Sequence, residues 1–339
     1  MSIVWKSLKW LAIVLAGLAV VYFFGPRPSA PSFLIPNLQA ANNVIELEQQ
    51  IATNERAVKG LKPGNEAKIV WANPEQKAKT RISMLYLHGF GASHREGSPV
   101  NIDLARRFGC NIFMARLSEH GVERGENNFL NFTADNFVES GERALHVAKQ
   151  LGDSVVVVAT SAGAALGLFL ASRHPEIKSV ITYSPCIEIF KSEAKLMAGP
   201  WGLQLAHFVS GKEHNDWIMK EGQKGFWTNH QRFEGILQFA TFLKYGMTQE
   251  TFSKIKCPVF LGYYYLDEAH QDDVVSVPAM LKMYEQLGTP NALKRKKAFE
   301  NANTHVIASD ITSENWQNVE AESARFIHDV LKMELAAGI

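Results

Sequence analysis

The chain has 339 residues, of which 46% are hydrophobic, and its formal net charge is +1 because 35 basic residues balance 34 acidic ones. This balance excludes a nucleic-acid-binding protein that depends on a basic surface, and the length suffices to bury a large core in one α/β unit. The three cysteines, Cys110, Cys186 and Cys257, are odd in number and widely spaced, which excludes a disulfide framework. Neither a phosphate-binding loop nor a metal-ligand pattern occurs, so we expect no cofactor and no metal.

The N-terminal residues 1–24 predict a membrane anchor. The sequence from Trp10 to Phe24 is uninterrupted and apolar, and a helix counted from Ile3 is about 33 Å long, enough for a bilayer core of about 30 Å. Lys6 and Lys9 precede the run, which predicts a cytoplasmic N-terminus and a catalytic domain on the outer side, periplasmic or extracellular. Bulky residues and prolines follow where a cleaved signal peptide needs small residues, so we prefer an uncleaved transmembrane helix and keep the cleaved signal as the alternative.

The rest of the chain divides into a proline-rich spacer, residues 25–40, and one domain, residues 41–335. Apolar residues at helical spacing predict an amphipathic helix over residues 43–58. Residues 68–71 are predicted to form the first strand. Apolar strand-like runs then alternate with helical stretches as far as residue 183. This alternation predicts an α/β fold, with a mostly parallel sheet that helices cover on both faces.

Two loops after predicted strands carry features of a catalytic site. The strand at residues 82–87 runs into His88-Gly89-Phe90-Gly91, where glycines let the backbone lie close to a substrate. The strand at residues 155–158 ends in Ala159-Thr160-Ser161-Ala162-Gly163, which predicts a strand, a sharp turn that lifts Ser161 above the sheet, and a helix. The backbone N–H groups of Phe90 and Ala162 are candidates for an oxyanion hole. The alternative is that these small residues only begin a buried helix.

The alternation stops over residues 186–257, a segment too long for a plain connection. Tryptophan and phenylalanine residues recur there among helical stretches, so we predict a helical lid inserted after a strand and placed over Ser161. An apolar lid would present hydrocarbon to an acyl chain or to a hydrophobic alcohol. Most of these aromatic residues can equally well form the core of the insertion itself.

A serine needs a base and an acid to become a nucleophile, and candidates follow downstream. Asp267 comes directly after the buried strand at residues 258–265, which makes it the preferred acid, and Asp272 and then Asp273 stay as alternatives. His305 lies just beyond a short strand at residues 294–299, downstream of these acids. It is therefore the preferred base, and an ordinary solvent-exposed loop histidine is the alternative.

With these motifs the chain resembles serine hydrolases of the α/β-hydrolase fold, in particular carboxylesterases and monoacylglycerol lipases. The resemblance rests on residues 88–91 and 159–163, Asp267 and His305, and it covers roughly residues 66 to 335. It implies acyl transfer to water, in which Ser161 attacks a carbonyl, His305 moves the proton and Asp267 fixes the imidazole tautomer.

The function that we predict is a membrane-anchored hydrolase that cleaves carboxylic esters of moderately hydrophobic or lipid-like small molecules and needs no cofactor. An amidase, a peptidase or a thioesterase uses the same triad, and only the shape of the pocket separates these activities. A catalytically inactive, membrane-anchored binding module with a hydrolase-like domain is the alternative from a different class of protein.

Overall fold

The computed structural model describes residues 2–190 and 197–336, and their largest element is a mostly parallel sheet. The strands of the described residues are β1 (Lys68–Val70), β2 (Thr80–Leu87), β3 (Asn111–Met114), β4 (Gly152–Thr160), β5 (Ile177–Tyr183), β6 (His214–Asp216), β7 (His230–Arg232), β8 (Val259–Tyr263) and β9 (Lys294–Ala298). Seven of them form the main sheet in the order β1-β3-β2-β4-β5-β8-β9. β1 pairs antiparallel with β3, whereas the other neighbouring pairs of this sheet are parallel.

Helices cover both faces of the sheet, as the alternating pattern predicted. Those of the described residues are α1 (Ser2–Phe23), α2 (Val44–Arg56), α3 (Val100–Arg107), α4 (Ala134–Leu151), α5 (Ser161–Arg173), α6 (Gly202–Ser210), α7 (Phe233–Gly246), α8 (Gln249–Lys254), α9 (Val277–Gln286) and α10 (Trp316–Asp329). Helices α4, α5 and α9 contribute to the core on one face, and α3 and α10 contribute to the core on the other. The predicted fold class is therefore confirmed for the sheet and its flanking helices.

The central strand β4 shows why its sequence is apolar throughout. Successive side chains of a strand point to opposite faces, so Val155 and Val157 enter one core while Val156 and Val158 enter the other. All four side chains are buried. A strand that helices cover on both faces needs such a continuous apolar run, because neither face meets water.

The insertion between β5 and β8 is only partly helical. It contains α6, α7 and α8, but also an antiparallel ribbon of β6 and β7, in which Asp216 pairs with His230. The predicted helical lid over residues 186–257 thus has helices but also a ribbon that the sequence did not predict, because each of its strands is only three residues long and too short to give a periodic pattern. Residues 191–196 of the predicted lid lie outside the described residues.

The N-terminal prediction needs a correction. Helix α1 forms over the predicted segment, but within residues 2–190 and 197–336 no helix combines the length and the apolar character needed to cross a membrane. The physical reason is that the uninterrupted apolar part of α1 begins only after Lys9, so it spans about 21 Å against a bilayer core of about 30 Å. A transmembrane helix over residues 1–24 is therefore not supported, and the predicted outer location of the domain stays a prediction.

The proline-rich segment after α1, predicted as an extended spacer, contacts the domain. The backbone N–H groups of Ser32 and Phe33 donate to Asp135 Oδ1 at 2.9 and 2.7 Å. The Phe33 ring packs on Phe169 and Phe242, with ring centroids 4.9 and 6.1 Å apart. The extended segment is thus anchored on α4, α5 and α7 before α2 begins.

Candidate functional site

Ser161 sits at the sharp turn between β4 and α5 that the sequence predicted. Its backbone has φ +52°, a left-handed conformation that is unfavourable for a residue with a side chain and that the surrounding structure must hold in place. The side chain is largely buried, with 8% of the residue exposed. The turn therefore presents a single hydroxyl at the carboxyl end of a central strand.

Gly163 makes this turn possible. A Cβ atom at position 163 would lie 2.3 Å from the Leu87 carbonyl oxygen and 2.4 Å from that of His88, so only glycine fits where α5 crosses the end of β2. Ala159 takes the place of the first glycine of Gly-x-Ser-x-Gly, the usual motif at such a serine turn, and it is fully buried in the core under α5. The packing thus accommodates the additional methyl group.

His305 lies beside Ser161, as the sequence predicted. Its Nε2 atom is 2.8 Å from Ser161 Oγ, although the two residues are far apart in the chain. The histidine follows β9 in a loop where Asn303 adopts φ +51°, and this loop returns to the carboxyl end of the sheet. An unprotonated Nε2 in this position can accept the hydroxyl proton of Ser161.

The acid beside His305 is Asp272, and the preferred prediction of Asp267 is wrong. Asp272 Oδ2 lies 2.7 Å from His305 Nδ1, and the Asp272 side chain is fully buried. Its second oxygen, Oδ1, accepts hydrogen bonds from the N–H groups of Val274 and Val275, each at 3.0 Å. The Asp267 carboxylate is exposed and binds His270 instead, with Oδ1 2.9 Å from His270 Nδ1.

A small hairpin after β8 explains why the preferred prediction of the acid was wrong. After β8 the backbone turns back on itself, with the His270 N–H donating to the Asp267 carbonyl at 3.2 Å. The returning segment pairs Gln271 with Tyr265, and the Asp272 N–H then donates to the Tyr264 carbonyl at 3.3 Å. Asp267 therefore occupies the tip of the excursion, and Asp272 returns to the end of the strand. The sequence offered Asp272 as the alternative but gave no signal for this hairpin.

The electrostatics of the pair are consistent with an ion pair around His305. Burial raises the pKa of Asp272. The charge of His305, its hydrogen bond and the N–H groups of Val274 and Val275 have a larger, opposite effect, so the pKa of Asp272 lies below its ordinary value. Burial lowers the pKa of His305, yet the Asp272 carboxylate outweighs this effect and raises the net pKa. The carboxylate thus stabilises the charged imidazolium that forms when the base takes a proton.

The two predicted oxyanion residues flank Ser161 from different elements. Ala162 lies in the first turn of α5, where backbone N–H groups have no partner within the helix. Phe90 lies on the loop after β2, whose next residue, Gly91, accepts a hydrogen bond from the Thr228 N–H at 2.7 Å. The Phe90 ring packs against Phe239 and Phe129, with ring centroids 5.2 and 4.6 Å apart. The geometry keeps both residues as candidates for the oxyanion hole.

Sequence reasoning missed Glu96, a buried acid under the same loop. Its Oε2 atom accepts a hydrogen bond from the Gly89 N–H at 2.5 Å, one residue before Phe90. Burial raises the pKa of Glu96 to about 7, against the opposing effects of the Gly89 N–H and of His305. Glutamate in a polar stretch is usually exposed, so no local pattern marks Glu96 as buried.

A cavity of about 400 Å³ lies between the loop after β5 and α7, and its lining combines apolar residues with the charged Glu188 and Lys244. The loop after β5 reaches it through Ile187 and Ile189, and the preceding Cys186 donates its N–H to the Ser161 carbonyl at 3.0 Å. The opposite wall comes from Leu243 of α7 and from Met247, which follows this helix. The insertion thus contributes hydrocarbon surface to the cavity, although Ser161, His305 and Asp272 do not line it.

Comparison of the sequence with protein-family models and with curated proteins finds no match. Solved structures do match in fold. A metagenome-derived lipolytic enzyme is 19% identical with a TM-score of 0.64, and the match covers 79% of this chain and 99% of that one. A monoacylglycerol lipase of Paleococcus ferrophilus is 13% identical with a TM-score of 0.58, covering 78% and 98% of the two chains. A monoglyceride lipase of Saccharomyces cerevisiae is 16% identical with a TM-score of 0.57, covering 90% and 98%.

These likenesses show that the chain has the α/β-hydrolase fold. The sheet order, the single antiparallel strand at one edge of the main sheet and the flanking helices agree with it. Fold alone does not define an activity, which depends on the groups at the carboxyl ends of the strands. Those groups are Ser161, His305 and Asp272 here.

Proposed function

We propose that this chain is a serine hydrolase that cleaves carboxylic esters of moderately hydrophobic, lipid-like compounds. The observation that carries the proposal is the hydrogen-bonded series Ser161–His305–Asp272, with distances of 2.8 and 2.7 Å. Each member comes from a separate loop at the carboxyl end of the sheet, where open α/β sheets bind their ligands. A nucleophile, a base and an orienting acid within hydrogen-bond reach are the parts that acyl transfer requires.

In this mechanism His305 Nε2 accepts the hydroxyl proton while Ser161 Oγ attacks the ester carbonyl carbon. The carbonyl oxygen becomes negative, and the N–H groups of Phe90 and Ala162 stabilise that charge. His305 then returns the proton to the alcohol oxygen, the C–O bond breaks, and an acyl ester on Ser161 remains. Water, deprotonated by His305, then attacks the acyl carbon, the bond from this carbon to Ser161 Oγ breaks, His305 returns the proton to Oγ, and the carboxylic acid leaves. Asp272 holds the Nδ1–H tautomer throughout.

The apolar surroundings support an ester with a hydrocarbon part. The cavity lined in part by Ile187, Ile189, Leu243 and Met247 offers hydrophobic surface that would bind an acyl chain through the hydrophobic effect. The loop that lines it is joined to the elbow by the hydrogen bond from the Cys186 N–H to the Ser161 carbonyl. The names of the solved structures with this fold, a lipolytic enzyme and two monoacylglycerol or monoglyceride lipases, point in the same direction.

The test is an activity panel of p-nitrophenyl esters of increasing acyl length, with amide and thioester analogues, together with labelling by a fluorophosphonate probe. We expect one label per chain at Ser161 and turnover of medium-chain esters that exceeds turnover of the acetate. Preference for the thioester or amide would replace the ester by that substrate class. An absence of both labelling and turnover would favour the inactive binding module.

A further inference from the structure

We propose that Glu126, His214 and His230 form a binding site for a divalent transition-metal ion of the zinc type. One carboxylate and two imidazoles converge, with ligand atoms all within 4.8 Å of one another. The cluster lies outside the Ser161 site and takes no part in the proposed acyl transfer. Imidazole and carboxylate ligands suit zinc and its neighbours, whereas Mg²⁺ and Ca²⁺ prefer oxygen ligands alone.

The short ribbon of β6 and β7 brings the two histidines together. His214 pairs with Arg232 and Asp216 pairs with His230, so the histidines are diagonal neighbours on one face of the ribbon. Their rings stack with centroids 3.9 Å apart and planes inclined by 17°. Glu126 comes from a short 3-10 turn after β3 (Gly125–Asn127), which belongs to the main domain and not to the insertion.

The distances to the carboxylate match those around a tetrahedral ion. Glu126 Oε2 is 3.6 Å from His214 Nε2 and 3.4 Å from His230 Nε2. Two ligands bound at about 2.0–2.1 Å to one tetrahedral zinc are about 3.3–3.4 Å apart. Three protein ligands leave the fourth position for water, and Glu126, whose side chain is 82% exposed, leaves that position open to solvent.

His230 has the supporting partner that metal-binding histidines usually have. Its Nδ1–H donates to Asp216 Oδ1 at 2.7 Å, which leaves Nε2 as the atom that faces Glu126. A carboxylate on the far nitrogen fixes the ring orientation and makes the ligating nitrogen more basic. The pair of His230 and Asp216 is thus arranged as in a carboxylate–histidine–metal series.

Metal binding changes two features of this arrangement. His214 Nε2 lies 2.9 Å from the Glu126 carbonyl oxygen, so its N–H donates there, and the proton must move to Nδ1 before Nε2 can bind an ion. The nearly parallel rings must turn apart until both lone pairs point to one ion.

A bound ion would cross-link the insertion to the main domain. The ribbon already contacts the domain through the Arg232 N–H, which donates to the Asn128 carbonyl at 3.0 Å. Just before β7, the Thr228 N–H donates a hydrogen bond to the carbonyl of Gly91, which lies on the predicted oxyanion loop. The ion would thus stabilise the part of the insertion that supports this loop.

The experiment measures Zn²⁺ binding to chelator-treated full-length protein at pH 8, by competition with a chromophoric chelator and by thermal unfolding. We expect one Zn²⁺ per chain and a higher Tm with zinc than without it, and no such change with Mg²⁺. Glu126→Gln should weaken zinc binding at least tenfold, and His230→Gln should remove the rise in Tm. His328→Gln is the matched control, because His328 also faces an aspartate, with Nδ1 2.9 Å from Asp329 Oδ1, but lies on α10.

Glu126→Gln keeps the proposal falsifiable even where a histidine variant folds poorly, because the Glu126 side chain is mostly exposed. Zinc affinity that is unchanged in Glu126→Gln and His230→Gln, or lost equally in His328→Gln, would overturn the site. Failure of the wild-type protein to bind one equivalent would do the same. None of these readouts depends on the hydrolase activity.

Discussion

The elbow around Ser161 and the loop around Asp272 lie side by side in the site but differ in how the chain builds them. At the elbow a strand, a turn and a helix follow one another without interruption, and Ser161 stands at the turn between β4 and α5. At the acid loop the chain leaves β8, turns at Asp267 and His270, and comes back before it supplies its carboxylate. Contiguous local structure fixes the first residue, and a tertiary excursion fixes the second.

This difference teaches where motif reasoning is reliable. At the elbow the small residues that the turn needs stand at positions 159 and 163, within five residues, so the sequence shows the turn directly, even though the atoms that exclude a side chain at position 163 belong to Leu87 and His88. The identity of the acid depends on which carboxylate the folded chain brings next to the His305 imidazole, and several candidates lie within seven residues, from Asp267 to Asp273. The predictions below test whether the two regions differ in function as they do in construction.

The largest expected effect is that of Ser161→Ala. Removal of the nucleophile should reduce kcat for ester hydrolysis by about 10⁴-fold or more, while folding is retained because only a hydroxyl is deleted. Steady-state kinetics with a p-nitrophenyl ester, and circular dichroism as the folding control, measure this. A variant that keeps a tenth of the wild-type turnover would show that the elbow is not the reacting centre.

Asp272→Asn should come next, and it tests the correction of the acid directly. The amide can still accept from the N–H groups of Val274 and Val275, but it favours the wrong tautomer of His305, so kcat should fall by about 10⁴-fold. The matched control, Asp267→Asn, changes an exposed side chain that does not contact His305 and should stay within about twofold of the wild type. The opposite ranking of the two variants would return the acid to Asp267.

The pH dependence of kcat/KM sharpens the same comparison. His305 must be neutral to accept a proton, and the nearby carboxylates raise its pKa above the ordinary value of about 6.5. Activity should therefore fall about tenfold per pH unit as the pH drops below that raised pKa. In Asp272→Asn the residual activity should show this acid limb at lower pH, whereas Asp267→Asn should leave it in place. Profiles from pH 5 to 9 decide the matter, and a limb that does not move in Asp272→Asn would contradict the assignment.

Glu96 should show the smallest effect, because it acts through the loop that it holds. Glu96→Ala removes the acceptor of the Gly89 N–H, so that Phe90 is less well positioned, and kcat should fall about tenfold, less than the 10²–10³ for loss of an oxyanion donor itself. Glu96→Gln keeps an oxygen acceptor and should restore most of the activity, with KM little changed in both variants. Equal losses in the alanine and glutamine variants would point to the charge of Glu96 instead of its hydrogen bond.

Much of the fold and part of the site could be predicted from the sequence. The strands, the helices between them and the turns at Phe90 and Ser161 all rest on local patterns of apolar and small residues. His305 could be placed because it follows the last strand. Glu96, the β6–β7 ribbon and the convergence of Glu126 with His214 have no local signature, because their meaning comes from residues distant in the chain.

The N-terminal segment shows the limit of composition. Its apolar residues predicted a helix, and α1 forms, but the interruption at Lys9 leaves too short an apolar stretch to cross a bilayer. The proline-rich composition of the segment that follows α1 predicted an extended spacer. Only the tertiary structure shows Phe33 packed against Phe169 and the backbone held by Asp135.

By itself the sequence determined the α/β alternation, the elbow serine and the histidine after the last strand, because periodicity and steric fit act over a few neighbouring residues. The tertiary structure decided that Asp272 and not Asp267 faces His305, because a hairpin carries the first acid away from the strand and returns the second to it. It also decided which carboxylates are buried, and burial together with the nearest charge sets the pKa of Glu96, Asp272 and His305. Desolvation and the distance to a charged partner are properties of the folded chain, so they could not be predicted from the order of residues.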